Sequence, residues 1–203
     1  MKALYVTDRA ALGDAGLADL LASLAGAPDL AVSLRETPAD DRTLLARARE
    51  ARGRIGDLVP LYVHRRFDIA VAAGATGVHL PASGLPLPKV RANTPRGFRI
   101  GVSTHSAPEA GEAIAQGADF VVIGPVFDTP SKRAFGPPLG PAALAGLPRR
   151  DSHSCEVYAI GGVDESRLPE LEPYRDRISG VAAIRLFQES ADPRGAVERI
   201  AAR

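Results

Sequence analysis

Phe120-Val121-Val122-Ile123-Gly124-Pro125-Val126-Phe127-Asp128-Thr129-Pro130-Ser131-Lys132 is an apolar run that opens into a loop of glycine, proline, hydroxyls and a lysine. Four apolar residues in succession are the pattern of a strand buried on both faces, as in a parallel sheet covered by helices. Such a strand delivers Thr129, Ser131 and Lys132 to one end of the fold, a grouping suited to an anion. Downstream, Ala159-Ile160-Gly161-Gly162-Val163 is another apolar strand, here ending in two glycines. Without Cβ atoms, Gly161 and Gly162 let backbone N–H groups approach a phosphate closely. A strand ending in Gly-Gly is also a plain tight turn. Together and in this order, the two segments point to an enzyme that holds a phosphorylated small molecule.

Outward from these segments, short apolar strands alternate with helical patterns. The strand candidates are 3–6, 30–34, 58–63, 77–80, 99–102, 120–123, 157–160 and 180–184. Leu44, Leu45 and Ala48 share one face of a helix, as do Ala110, Ala113 and Ile114, and Ala196, Val197, Ile200 and Ala201. Ser106-Ala107-Pro108-Glu109 reads as a capping box, and Asp192-Pro193 as an N-cap followed by a first-turn proline. The expected fold is therefore α/β, a single-domain (β/α)8 TIM barrel over residues 1–203. An open doubly wound sheet would carry a glycine-rich turn after its first strand, where this chain has Thr7-Asp8-Arg9-Ala10. In a barrel the active site lies on the loops after the strands, with phosphate commonly held after strands seven and eight. Gly161, Gly162, Ile184 and Arg185 fall there.

Composition narrows the function class. The 25 basic and 24 acidic residues leave a net charge of +1, and no basic run interleaves with aromatics, which argues against nucleic acid as a partner. A single cysteine, Cys155, excludes a disulfide framework and a multi-cysteine metal site. The start, Met1 to Asp8, turns polar too soon for a signal peptide, and no apolar run reaches the roughly 20 residues that span a bilayer. The expectation is a reduced, cytoplasmic protein with a small-molecule phosphate substrate and no membrane partner. Whether copies associate into a homo-oligomer is left open.

Several side chains could carry chemistry. Arg35 ends the second strand, where it would face the mouth and grip an oxyanion, or would pair internally with Glu36 or another acid. Ser103 follows the fifth strand and could donate to a phosphate, while His105 could move protons near neutral pH. His64, in His64-Arg65-Arg66-Phe67-Asp68, belongs to a cluster that could bind an anion or could simply start a solvated helix paired with Asp68. His79 reads as a satisfied core histidine and His153 as surface.

Leu4-Tyr5-Val6-Thr7-Asp8-Arg9, Leu34-Arg35-Glu36, Gly77-Val78-His79-Leu80, Gly101-Val102-Ser103-Thr104-His105-Ser106, the 124–132 loop, Pro138-Leu139-Gly140 and Ala159–Val163 resemble, in order and over nearly the whole chain, segments of the thiamine phosphate synthase and TenI family. The resemblance implies a TIM barrel that joins an aminopyrimidine diphosphate to a thiazole phosphate, with magnesium helping diphosphate leave. It implies Arg35, Ser103, Ser131 and Lys132 for the diphosphate, and backbone at Gly162, Ile184 and Arg185 for the thiazole phosphate. The chain also departs from the family pattern. Thr37 stands where the second-strand motif has lysine, His64-Arg65 where the third has Asn-Asp, and Pro81-Ala82-Ser83-Gly84 where a second acid is usual. With both magnesium-binding acids missing, no metal ligand is assigned; magnesium is expected only if synthase activity is retained, held by the diphosphate and water. The reading therefore leans to a TenI-like thiazole tautomerase, with the synthase as alternative and a non-catalytic regulatory binder as a third. The tautomerase histidine position is occupied by Pro125, so the proton-transfer candidates are His105 and His64. His105 is preferred because Ser103 and Thr104 adjoin it, whereas Arg65 and Arg66 would weaken His64 as a base.

Overall fold

The computed structural model describes the whole chain except Thr37, Ser131, Lys132, Ala134 and Phe135. Eight parallel strands close into a barrel in sequence order: β1 (Lys2–Val6), β2 (Leu30–Leu34), β3 (Leu61–His64), β4 (Gly77–Leu80), β5 (Arg99–Thr104), β6 (Phe120–Ile123), β7 (Glu156–Ile160) and β8 (Gly180–Ala183). β8 returns to pair with β1, which leaves no free edge. Around the strands run α1 (Arg9–Ser23), α2 (Asp41–Ile55), α3 (Phe67–Ala72), α4 (Leu87–Ala92), α5 (Ala107–Ala115), α6 (Leu168–Leu171), α7 (Arg185–Gln188) and α8 (Pro193–Ala201). Between β6 and β7 the expected helix is replaced by 3₁₀ turns at Pro141–Gly146 and Arg150–Ser152. No helix among the described residues is long and apolar enough to cross a membrane.

The continuous apolar runs have a simple cause: alternate residues of each strand serve two different cores. Leu4, Val6, Ala31, Tyr62, Phe120, Val122, Tyr158 and Ala182 fill the barrel. Tyr5, Val32, Leu61, Val78, Ile100, Val121, Val157 and Val181 pack outward under the helices. A Cβ on Gly101 would overlap the Phe120 ring, so a glycine is required where that ring crosses the interior. The N-terminal end is sealed by Glu156, which accepts from Lys2 at 2.5 Å and Arg99 at 2.8 Å. The same two-residue alternation, carried toward the C-terminal ends, aims Ser33, Arg35, His64, His79 and Ser103 inward and upward.

Strand boundaries differ from expectation in instructive places. β3 begins at Leu61 rather than Leu58, whose side chain is 85% exposed ahead of Pro60. β5 runs on to Thr104, which puts Ser103 inside the strand instead of after it. β8 ends at Ala183, leaving Ile184 as the residue before α7. Asp192 caps α8 through the Gly195 amide at 2.9 Å, as expected. At α5, Ser106 accepts from the Glu109 amide at 3.3 Å, but Glu109 returns to the amide of His105 rather than of Ser106.

Candidate active site at the mouth of the barrel

The half of the mouth above β2 to β5 is built from side chains. The Arg35 amide donates to Thr7 Oγ1 at 2.9 Å, and its guanidinium, still 41% exposed, donates to Asp8 at 3.2 Å. Glu36 is not its partner. It faces the other way, 1% exposed, and accepts from Arg9 at 2.7 Å and Arg47 at 2.9 Å. The neighbouring Arg66 pairs with Asp68 and Asp41, so the basic run after β3 is largely a helix-start ion pair. Arg65 stays exposed and adopts a left-handed φ of 72°.

His64 is half-buried, with Nδ1 shielded and unpartnered. Burial, reinforced by Arg35 and Arg65, lowers its pKa to about 4. Arg65 acts as anticipated, whereas Arg66, paired with Asp41 and Asp68, does not contribute, and burial is the larger cause. His64 is therefore neutral at pH 7 and a weak base. Its ring stands edge-on to His79, with centroids 5.4 Å apart. His79 is 3% exposed and satisfied on both sides, by Ser33 Oγ at Nδ1 and Ser103 Oγ at Nε2, each at 2.9 Å. His105 lies higher and exposed, with Nδ1 2.8 Å from the Gly124 carbonyl. A carbonyl can only accept, so Nδ1 carries the proton and Nε2 is left as the basic nitrogen. His153, expected at the surface, has both ring nitrogens shielded and unpartnered.

The half above β6 to β8 is built from backbone. After β6 the chain lies along the end of β7: Val126 donates to the Ile160 carbonyl at 2.8 Å and Phe127 to that of Gly161 at 2.9 Å. This close approach requires glycine. At Gly162 (φ 63°) a Cβ would sit 2.5 Å from the Asp128 carbonyl, and at Gly161 (φ 99°) 2.5 Å from Pro125. The amides of Gly161, Gly162, Arg185 and Leu186 make no hydrogen bond within the described structure and stand free for an anion. A cleft of about 320 Å³ adjoins them, but its wall carries Asp164, Glu165 and Glu189 against Arg185 alone. A phosphate fits the amides at its inner edge better than the acidic cleft itself. Ile184 precedes the Arg185 amide, and Thr129 is half-buried on the β6 loop. Ser131 and Lys132, assigned to the diphosphate from sequence, lie outside the described residues.

Magnesium bound by protein carboxylates does not fit this mouth. Among the described residues no three His, Cys, Asp or Glu side chains gather into a cation site. Asp8 is engaged by Arg35 and Asp128 by Arg133, whereas magnesium favours hard oxygen ligands that include one or two carboxylates. The end of β3 offers His64 and Arg65 in their place.

The sequence pattern of the family described as thiamine monophosphate synthase matches residues 3–187. The chain belongs to that family. A Geobacter sulfurreducens protein provisionally named a thiamine-phosphate synthase is 43% identical, over 93% of this chain and 87% of its own length. The thiamine-phosphate synthase of Methanoculleus marisnigri is 39% identical over 81% of this chain and 72% of its own. Thiamine phosphate pyrophosphorylase from Pyrococcus furiosus shares the fold with a TM-score of 0.82 and 26% identity, over 99% of this chain and 94% of its own. These relatives of the thiamine monophosphate synthase family favour the synthase over the tautomerase that the missing acids suggested.

Proposed function

We propose that this chain is a thiamine phosphate synthase, joining an aminopyrimidine diphosphate to a thiazole phosphate with release of diphosphate. The observation that carries the reading is a mouth with two anion-accepting halves of different construction, on a chain whose named relatives are synthases. The free amides at Gly161, Gly162 and Arg185 would take the monophosphate of the thiazole. Arg35 and Ser103, with Thr129, Ser131 and Lys132 from the β6 loop, would take the diphosphate. In the reaction the C–O bond to diphosphate breaks, its electron pair stays on the departing diphosphate, and the thiazole supplies the new bond to carbon. Fixed donors directed at the departing oxygens stabilise that charge as it develops. No step is assigned to a protein-held metal, because the donor set does not support one.

A second reading has its own observation. His105, with Nδ1 tied to the Gly124 carbonyl and Nε2 free, is arranged as a base for proton transfer on a thiazole carboxylate phosphate. The test is incubation with both substrates and magnesium, followed by chromatography for thiamine phosphate. Turnover supports the synthase. Its absence, with catalysed proton exchange on the thiazole that His105→Ala abolishes, transfers the assignment to a tautomerase. Silence in both leaves a ligand-binding regulatory protein.

A further inference from the structure

Three side chains cross the barrel below the mouth: Ser33 from β2, His79 from β4 and Ser103 from β5. Ser33 Oγ and His79 Nδ1 are 2.9 Å apart, as are His79 Nε2 and Ser103 Oγ. The histidine ring is clamped. His64 meets it edge-on, and Phe120 packs against it with centroids also 5.4 Å apart. Burial, helped by nearby His64, lowers the His79 pKa to about 3. The ring is therefore neutral at pH 7 and owns one N–H, which it can place on either nitrogen.

The choice is made by Ser33. Its side chain is fully buried, and among the described residues His79 is its only hydrogen-bond partner. Were the proton on Nδ1, Ser33 would accept it and its own hydroxyl proton would be buried without an acceptor, a costly arrangement. Ser33 therefore donates to Nδ1, the proton sits on Nε2, and Nε2–H donates to Ser103 Oγ. Ser103, half-buried at the floor of the mouth, then keeps its own hydroxyl proton for something above it.

We propose that Ser33 and His79 are positioning residues that fix Ser103 as a hydrogen-bond donor, so that this subsite selects an oxyanion, such as a diphosphate oxygen, over a ligand N–H. The chain of donors runs in one direction, and each bond polarises the next. The identity of the anion rests on the function proposed above, whereas the direction of the chain rests on the geometry alone.

Two measurements separate these layers. Long-range ¹H–¹⁵N correlation spectra of ¹⁵N-histidine-labelled protein report the tautomer of His79 directly. The expected result is a protonated Nε2 and an unprotonated Nδ1, with the preference lost in Ser33→Ala. A protonated Nδ1 in the unsubstituted protein overturns the proposal. The second measurement is calorimetric binding of inorganic diphosphate to the unsubstituted protein, Ser33→Ala, Ser103→Ala and the double variant, each checked by its thermal melt. Ser33→Ala should weaken binding by about fivefold and Ser103→Ala by about tenfold. The double variant should bind no more weakly than Ser103→Ala. Losses that multiply, or no effect of Ser33→Ala, overturn the positioning role. Failure of the unsubstituted protein to bind diphosphate, with Nε2 still protonated, rejects the assigned anion and the reading of the mouth but not the direction of the chain.

Discussion

The two halves of the mouth solve the same problem with different materials. Above β6 to β8 the proposed anion site is made of free amides, presented by glycines whose missing Cβ atoms allow two loops to touch. Above β2 to β5 the mouth is lined by side chains, Arg35 held by Asp8 and Ser103 by His79, with His64 packed edge-on to His79. A backbone site depends on shape and tolerates little. A side-chain site can be edited one residue at a time, and the departures from the synthase pattern at Thr37, His64-Arg65 and Pro81–Gly84 follow β2, β3 and β4 in sequence, whereas the tautomerase histidine is replaced by Pro125 on the β6 loop. The glycine half keeps its Ala159–Val163 motif.

The contrast predicts that the backbone half breaks hardest. Gly162→Val forces a β-branched residue into a left-handed φ against the Asp128 carbonyl. The cost should be about 3 kcal/mol of stability in urea titration, with thiazole phosphate binding lowered by more than about 100-fold. A variant that melts and binds normally would remove the distinction between the halves. Arg35→Gln should act more narrowly. Loss of a charge-assisted bond predicts a fall in kcat/KM for the diphosphate substrate of roughly 30- to 100-fold, with stability nearly unchanged because the Asp8 pair is partly exposed.

The side-chain half should also respond to acid. His64 titrates near 4 and His79 near 3 in the folded chain, against 6.5 when unfolded. Between these values the unfolded chain binds more protons, so stability present above pH 6.5 is lost as pH falls toward 4. The loss should be on the order of 5 kcal/mol between about pH 7 and about pH 4.5, measured by urea titration, and about half as large in His64→Asn. A flat profile would mean that these rings are not held neutral by burial. The smallest expected effect is an absence. Magnesium titrated alone should produce no binding isotherm below about 10 mM, given the lack of a carboxylate pair; a submillimolar isotherm would show that the side-chain half holds a cation after all.

Much of this was legible in the sequence, for a physical reason. A strand that serves two cores must be apolar throughout, so the eight strands announced themselves, and polar residues at their C-terminal ends marked the mouth. The failures share the opposite cause. Leu58 is apolar but exposed before Pro60, so the apolar run overstated β3. Ser103 and Thr104 are polar but lie within β5, because buried hydroxyls are accepted where they find partners, His79 for the inward Ser103 and the Val122 carbonyl for the outward Thr104, and polarity alone read as loop. Ser33 carried no local signal. Its role exists only through His79, 46 residues away, and such pairing becomes visible once strand register is known. The caution about His64 was sound, yet the dominant cause, burial, needed the fold.

Glu36 gives the mouth an anchor on its far side. Arg35 and Glu36 are neighbours that a strand must send in opposite directions. Just past the end of β2, Glu36 is held between Arg9 of α1 and Arg47 of α2, which restrains the segment that carries Arg35. The guanidinium inside is thus aimed by a lock outside, as a key is turned by its bow. Substrate never reaches Glu36, yet exchanging it for glutamine would loosen the aim of Arg35 while leaving every group in the mouth chemically intact.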